Sequence, residues 1–364
     1  MDILHVYKAY APVIGGVENH VRALAEGQAR AGHRVAVLVT DAGSGGAAVG
    51  PGPVRVVRVR AWAEVASTPL APGLVRALRR ERPDVTHVHA PYPPGELAQL
   101  LGGRGRPYVV TYHADVTRWR QRAVLAGYRP WLARVLREAR RVVVTSPRYA
   151  ASSVLRPVAS RVVVVPLGVD TRLFSPGPRD PAGPPTLLFV GRLRHYKGLD
   201  VLLRALRGLP DSTRLLVVGD GPMRPGWERL RDRLGLGARV SFLGTVPDGQ
   251  LPSVYRRADV LVLPATSRAE AYGLVLAEAM ASGLPCVTSE VGTGTSWVVQ
   301  DGVTGLVVPP RDAPALADAL ARLLGDAALR RRLGAAGRAR AEQELDEATM
   351  LARVEVVYRL ALDG

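Results

Sequence analysis

The stretch "FSPGPRDPAGPP", residues 174–185, decides how this chain is divided. Its five prolines remove backbone donors and, with its two glycines, interrupt every hydrophobic period, so it can be neither strand nor helix. It reads as a linker between an N-terminal domain, 1–173, and a C-terminal domain, 186–364, whose last helix can pack back on the N-terminal domain. Outward from the linker, short β-branched runs alternate with amphipathic stretches on both sides. Before it the runs start at Ile3, Arg34, Val54, Val85, Tyr108, Arg141 and Arg161; after it they start at Thr186, Arg214, Val240, Val260, Pro285 and Gly305. Strands alternating with helices predict parallel sheets covered on both faces, hence an α/β chain of two doubly wound, Rossmann-like domains facing each other across a cleft. The Gly-rich stretch 41–53 reads as a strand connection.

Composition bounds the function. Of 364 residues 47% are hydrophobic and 22% charged, a globular balance, and each half is long enough to bury its own core. A single cysteine, Cys286, excludes an internal disulfide framework and a cysteine-based zinc site. No apolar run reaches the length of a membrane span, and the N-terminus has no basic leader pattern, so a cytoplasmic chain is expected. The net charge of +17 raises the question of nucleic acid. Only Lys8 and Lys197 among the 49 basic residues are lysine, and the arginines are spread along the chain without a nucleic-acid-binding motif. That pattern is a solvated surface, and no nucleic-acid partner is expected.

Doubly wound sheets bind ligands beyond the carboxyl ends of their strands. "GGVENH" after the first run and "GDGPMR" at 219–224 both lack the three-glycine dinucleotide fingerprint, and no Walker-type loop occurs. The segment "SRAEAYGLVLAEAMASGLPCV", residues 267–287, is different. Ser282-Gly283 and Pro285 stop a helix whose apolar face includes Leu274, Val275, Ala277 and Ala281. Glu278 lies among those apolar residues, where a carboxylate needs a nearby arginine or a ligand.

Together "VGRLRHYKGLD" (190–200), "VVGDGP" (217–222), "VSFLGTVP" (240–247), the Glu270 to Glu278 segment and "VGTGTSWVVQDGVTGLVVPP" (291–310) resemble the family 4 retaining glycosyltransferases of the GT-B type. "GGVENHV" (15–21), "TYHADV" (111–116) and "VVVVPLGVD" (162–170) extend the resemblance over nearly the whole chain. It implies transfer of a hexose from a UDP- or GDP-linked sugar to a hydroxyl of a glycan, a lipid-linked or a small-molecule acceptor, with no cofactor. By that resemblance Glu270 and His113 lie at the donor sugar, and Arg192 and Lys197 after Gly191 neutralise the diphosphate. Ala271, Tyr272, Gly273 and Leu274 offer backbone N–H groups, Glu278 takes the ribose, and Gly15 and Gly16 approach the donor phosphate. His87, His89 and His195 have no motif to support them. The fixed cations make a metal unnecessary, and no Asp-x-Asp occurs in the chain. Two departures stand out: Tyr272 where phenylalanine is usual, and "VGTGTSWV" where a Gly-Gly run ending in glutamate is more frequent.

The rival reading is a GT-B-fold nucleotide-sugar epimerase or a non-catalytic sugar-nucleotide binding module. The basic, Trp-bearing stretch 118–141 fits peripheral contact with an acidic membrane, at its inner face, through a helical pattern broken at Pro130.

Overall fold

The computed structural model describes residues 1–13, 15–41, 52–65, 68–114, 122–178 and 183–363, with backbone alone for 122–126. Most of the Gly-rich stretch 41–53, part of the 174–185 linker and the start of the 118–141 segment lie outside the described residues. The chain divides into two compact units, Met1–Pro166 with Ala348–Gly364, and Leu167–Glu347.

In the first unit the strands are β1 (Asp2–Val6), β2 (Arg34–Asp41), β3 (Arg55–Arg60), β4 (Ala63–Val65), β5 (Thr68–Leu70), β6 (Val85–Ala90), β7 (Tyr108–Tyr112), β8 (Arg141–Val144) and β9 (Val162–Val164). Seven of them form a parallel sheet in the order β3-β2-β1-β6-β7-β8-β9. The short antiparallel β4–β5 pair had no sequence signal, because its three-residue strands are largely exposed and Pro69 interrupts one of them. The helix Arg122–Glu138 runs through Pro130, where the sequence predicts a break. Leu132, Val135 and Leu136 beyond the proline are buried, and their burial outweighs the ~3 kcal/mol that an interior proline costs. The C-terminal helix Glu347–Leu362 places Met350, Val354, Val357, Tyr358 and Ala361 in the same core as β1 and β2.

The second unit contains β10 (Thr186–Val190), β11 (Arg214–Val218), β12 (Val240–Gly244), β13 (Val260–Leu263), β14 (Cys286–Ser289) and β15 (Gly305–Val308), ordered β12-β11-β10-β13-β14-β15 and all parallel. Alternate residues feed opposite layers, as the two-residue repeat of a strand requires. Leu187, Phe189, Leu215, Val217, Val260 and Val262 enter one core. Their neighbours Leu188, Val190, Leu216, Val218, Leu261 and Leu263 enter the other.

The break between units falls at Pro166, ahead of the expected linker, because Leu167, Val169 and Phe174 are buried in the second unit's core. Val169 exchanges backbone hydrogen bonds with Leu345 and Glu347, and Arg256 holds Ser175 through its carbonyl and hydroxyl oxygens, both at 3.0 Å. The described start of the Pro-rich stretch is therefore docked. Among the described residues no helix is long and apolar enough to cross a membrane.

Glycine is required where this unit's loops turn. Gly198 has φ +73°, and a Cβ there would lie 2.0 Å from the carbonyl oxygen of Pro264. Gly235 has φ +69° but open space around it. Gly235→Ala should therefore cost about 1–2 kcal/mol, the left-handed penalty alone, and Gly198→Ala distinctly more because backbone must move. Urea unfolding of the two variants checks this; equal midpoints would show that Pro264 yields freely.

Candidate active site

The site begins with the turn that follows β10. Gly191, at φ +143°, reverses the chain; its carbonyl oxygen lies where a Cβ on Gly219, after β11, would be at 2.2 Å. This close backbone approach brings the loops of neighbouring strands together at their carboxyl ends. A short 3₁₀ turn, His195–Lys197, and the left-handed Gly198 then lead into the helix Leu199–Leu206. The turn directs Lys197 inward, whereas Arg192 stays exposed and its side chain has no ion-pair or hydrogen-bond partner among the described residues.

Lys197 meets Glu270 at 2.5 Å, with their side chains only 11% and 9% exposed. Burial is the strongest single influence and pushes the lysine pKa down, but the facing Glu270 carboxylate together with Tyr196 and Glu278 leaves the pKa above its ordinary value. Lys197 is therefore a cation at any physiological pH. Glu270 sits in the loop after β13, and that loop is tied to the 3₁₀ turn by Thr266 N–H donating to the carbonyl of Tyr196 at 2.8 Å.

The same loop is held from its other side by the segment that departs from the family pattern. Thr293 Oγ1 donates to the carbonyl of Glu270 at 2.7 Å, and Gly294 N–H donates to the carbonyl of Ala271 at 2.8 Å. A Cβ on Gly294 would lie 2.8 Å from that carbonyl. Thr293 and Gly294 are thus the brace of the Glu270 loop, a role the sequence reading left unassigned. Tyr272 is buried and its hydroxyl donates to the carbonyl of Leu167 at 3.1 Å, so the extra oxygen relative to phenylalanine anchors the loop.

Gly273, at φ +79°, turns the chain into the helix Leu274–Ala281, whose N-terminus has no side-chain cap. Glu278 is half-buried on this helix, and Tyr255 donates a hydrogen bond to it at 2.6 Å. The partner is thus a tyrosine, where the sequence reading offered an arginine or a ligand. Burial pushes the Glu278 carboxyl up to about 7 despite that hydrogen bond. Glu270, Lys197, Glu278 and the turns at Gly191 and Gly273 all belong to the second unit.

The first unit contains the other expected residues. Gly15 precedes the helix Gly16–Arg30, and the Glu18 carboxylate fills the space beside it, 2.2 Å from where a Cβ would stand. Glu18 also pairs with Lys8 at 3.5 Å. Gly16 has open space. His113 follows β7 and is buried, its ring nitrogen 3.1 Å from His89. His87 and His89, set aside in the sequence, are wholly buried on β6 beside it, whereas His195 is exposed on the second unit. The available signal was their spacing: His87 and His89 lie two apart in an apolar run, hence on one face of a buried strand.

Comparison with known proteins agrees with this architecture. Residues 14–173 match Glycosyltransferase Family 4, and residues 172–340 match the glycosyl transferases group 1. The chain is 36% identical over 332 residues to a D-rhamnosyltransferase of Pseudomonas aeruginosa, covering 88% of this chain and 86% of that protein. It is 31% identical to the O-antigen chain mannosyltransferase C of Escherichia coli, over the full length of both. A solved structure of sucrose-phosphate synthase from Thermosynechococcus elongatus superposes with a TM-score of 0.83 at 28% identity, covering 98% of each chain. Two Rossmann-like units, the braced Glu270 loop and these relatives lead to one conclusion: the chain belongs to the family 4 glycosyltransferases, with the GT-B fold.

Proposed function

We propose that this glycosyltransferase moves a hexose from a UDP- or GDP-linked donor to an acceptor hydroxyl on a glycan, a lipid-linked or a small-molecule acceptor, with retention of anomeric configuration and without a divalent metal. The observation that supports this most is the buried Lys197–Glu270 pair beside the Gly191 turn, with Glu278 on the helix that follows. A cation held in a fixed place needs no reorganisation when the sugar–phosphate bond breaks and negative charge gathers on the phosphate oxygen. Lys197 supplies that cation. Arg192, exposed and unpaired among the described residues, closes on the diphosphate when donor arrives. Glu270 accepts hydrogen bonds from the sugar hydroxyls, the N–H groups of Ala271 to Leu274 take phosphate and sugar oxygens, and Glu278 accepts from the ribose. Gly15, Gly16, Gly191 and His113 complete the set. The departing phosphate takes the acceptor's proton on the same face, so no separate carboxylate base is required.

The two relatives are named for mannose and rhamnose transfer, which supports a donor hexose of the manno configuration. The acceptor is brought from the surface of an acidic membrane by the basic stretch 118–141, where Trp131 is 47% exposed. Liposome co-sedimentation tests that contact; equal recovery on neutral and anionic vesicles would exclude it.

The central test separates activity from stability. Incubation with a panel of UDP- and GDP-hexoses should release nucleotide in the presence of EDTA, with a retained anomeric centre by NMR. Lys197→Ala should lower turnover about a hundredfold and also destabilise the fold by about 3 kcal/mol, because Glu270 is left buried without its counter-charge. Arg192→Ala should lower turnover but leave the unfolding midpoint unchanged. Undiminished turnover in Lys197→Ala, or turnover abolished by EDTA, would refute the mechanism.

The pH dependence follows from Glu278. Its carboxyl is pushed up to about 7, and protonation removes its charge and turns one of its two acceptor oxygens into a donor, so donor binding weakens as pH falls through 7. Donor KM should rise about tenfold per pH unit below 7 and level off above it. Glu278→Gln should raise KM and flatten that slope; an unchanged slope in the variant would assign the titration elsewhere.

A further inference from the structure

Five histidines of the first unit form one buried group: His5 on β1, His20 on the helix Gly16–Arg30, His87 and His89 on β6, and His113 after β7. Burial holds them neutral. It pushes His5 down to about 4 and His113 to about 3, and leaves His20, His87 and His89 well below the ordinary value. A neutral imidazole carries one N–H and one lone pair, so each hydrogen bond in a row of them dictates the next.

The row starts at Gln28, whose amide oxygen faces His5 Nε2 at 2.8 Å. An amide oxygen only accepts, so His5 Nε2 carries the proton and its Nδ1 the lone pair. His89 Nε2, 3.0 Å from His5 Nδ1, must therefore donate, and its own Nδ1 is left to accept. His113 Nε2, 3.1 Å from His89 Nδ1, donates in turn. The other end of the amide fixes a second branch: Gln28 Nε2 donates to the Tyr358 oxygen at 3.2 Å. The buried tyrosine hydrogen has no other acceptor among the described residues, so it goes to His87 Nδ1 at 2.7 Å, and His87 Nε2–H donates to Thr111 Oγ1 at 2.6 Å.

We propose that the Gln28 amide, acting through His5 and His89, fixes His113 as the Nε2–H tautomer and leaves its Nδ1 as a hydrogen-bond acceptor for a donor-sugar hydroxyl. The sugar contact rests on the function proposed above; the tautomer does not. Gln28, His5 and His89 are positioning residues, remote from the reacting atoms. The same accounting disposes of a metal site. The groups His5, His87, His89 and His20, His89, His113 each bring ring nitrogens within 4.8 Å of one another. Yet His5, His87 and His89 have no lone pair left to give, and a metal needs at least three ligands.

The test is ¹⁵N NMR of the histidine-labelled full chain. His113 Nδ1 should appear as a pyridine-type nitrogen and Nε2 as a pyrrole-type one, with the same assignment for His5, His87 and His89. Gln28→Leu removes the acceptor, so the row inverts: His113 Nδ1 becomes pyrrole-type, and turnover falls about tenfold, the worth of one hydrogen bond, with donor KM little changed. Where that variant does not fold, Gln28→Met, of matching length and without the amide, takes its place. A pyrrole-type His113 Nδ1 in the unaltered protein, tautomers unmoved in a folded Gln28 variant, or Zn²⁺ taken up at these rings would each overturn the relay. Inverted tautomers with full turnover would overturn its link to the reaction. An absence of sugar transfer by the unaltered protein would instead refute the proposed function, and the spectrum would still decide the tautomer.

Discussion

An ammonium group nearly out of water requires an opposite charge beside it, and Lys197 finds one in Glu270. That requirement couples two segments far apart in sequence: the turn after β10 and the loop after β13 must meet, or both charges are stranded. Much of the second unit's irregular backbone serves the meeting. Gly191 and Gly198 take left-handed or otherwise positive φ so that the turn can present the lysine inward. The Thr266–Tyr196 backbone hydrogen bond fixes the distance, and Thr293 and Gly294 hold the Glu270 loop from its other side. The pair is thus a structural requirement first, met where the loops after two neighbouring strands, β10 and β13, come together.

Sequence was informative where local chemistry decides the outcome. The stop at Ser282-Gly283 marked the helix end within a residue, and each β-branched run is a strand because burial on both faces selects such residues. Lys197 was conspicuous as one of two lysines in a chain of arginines, and Glu278 as a carboxylate in an apolar face.

What escaped was decided by contacts between distant segments. The brace at Thr293 and Gly294 works through backbone carbonyls, which carry no residue identity. The Tyr255 partner of Glu278 comes from an earlier helix and cannot be seen from the 267–287 segment. The histidine group needs β1, β6, β7, the Gly16–Arg30 helix and the C-terminal helix at once, so only His113 was singled out, through its motif, and His87 and His89 were set aside. The unit boundary at Pro166 depends on which core Leu167, Val169 and Phe174 enter, whereas the prolines that drew attention lie beyond it.

The C-terminal helix has a consequence for the birth of the protein. Tyr358 and its neighbours complete the core of a unit whose other residues end at Pro166. At about 5–20 residues per second, roughly 10 to 40 s of synthesis separate Pro166 from Ala348. Throughout that interval the nascent first unit has an unfilled apolar face and Gln28 without its tyrosine, while every residue of the second unit emerges from the ribosome. The usual order of co-translational maturation is therefore reversed: the unit in the middle of the chain can finish first, and the one that begins it finishes last.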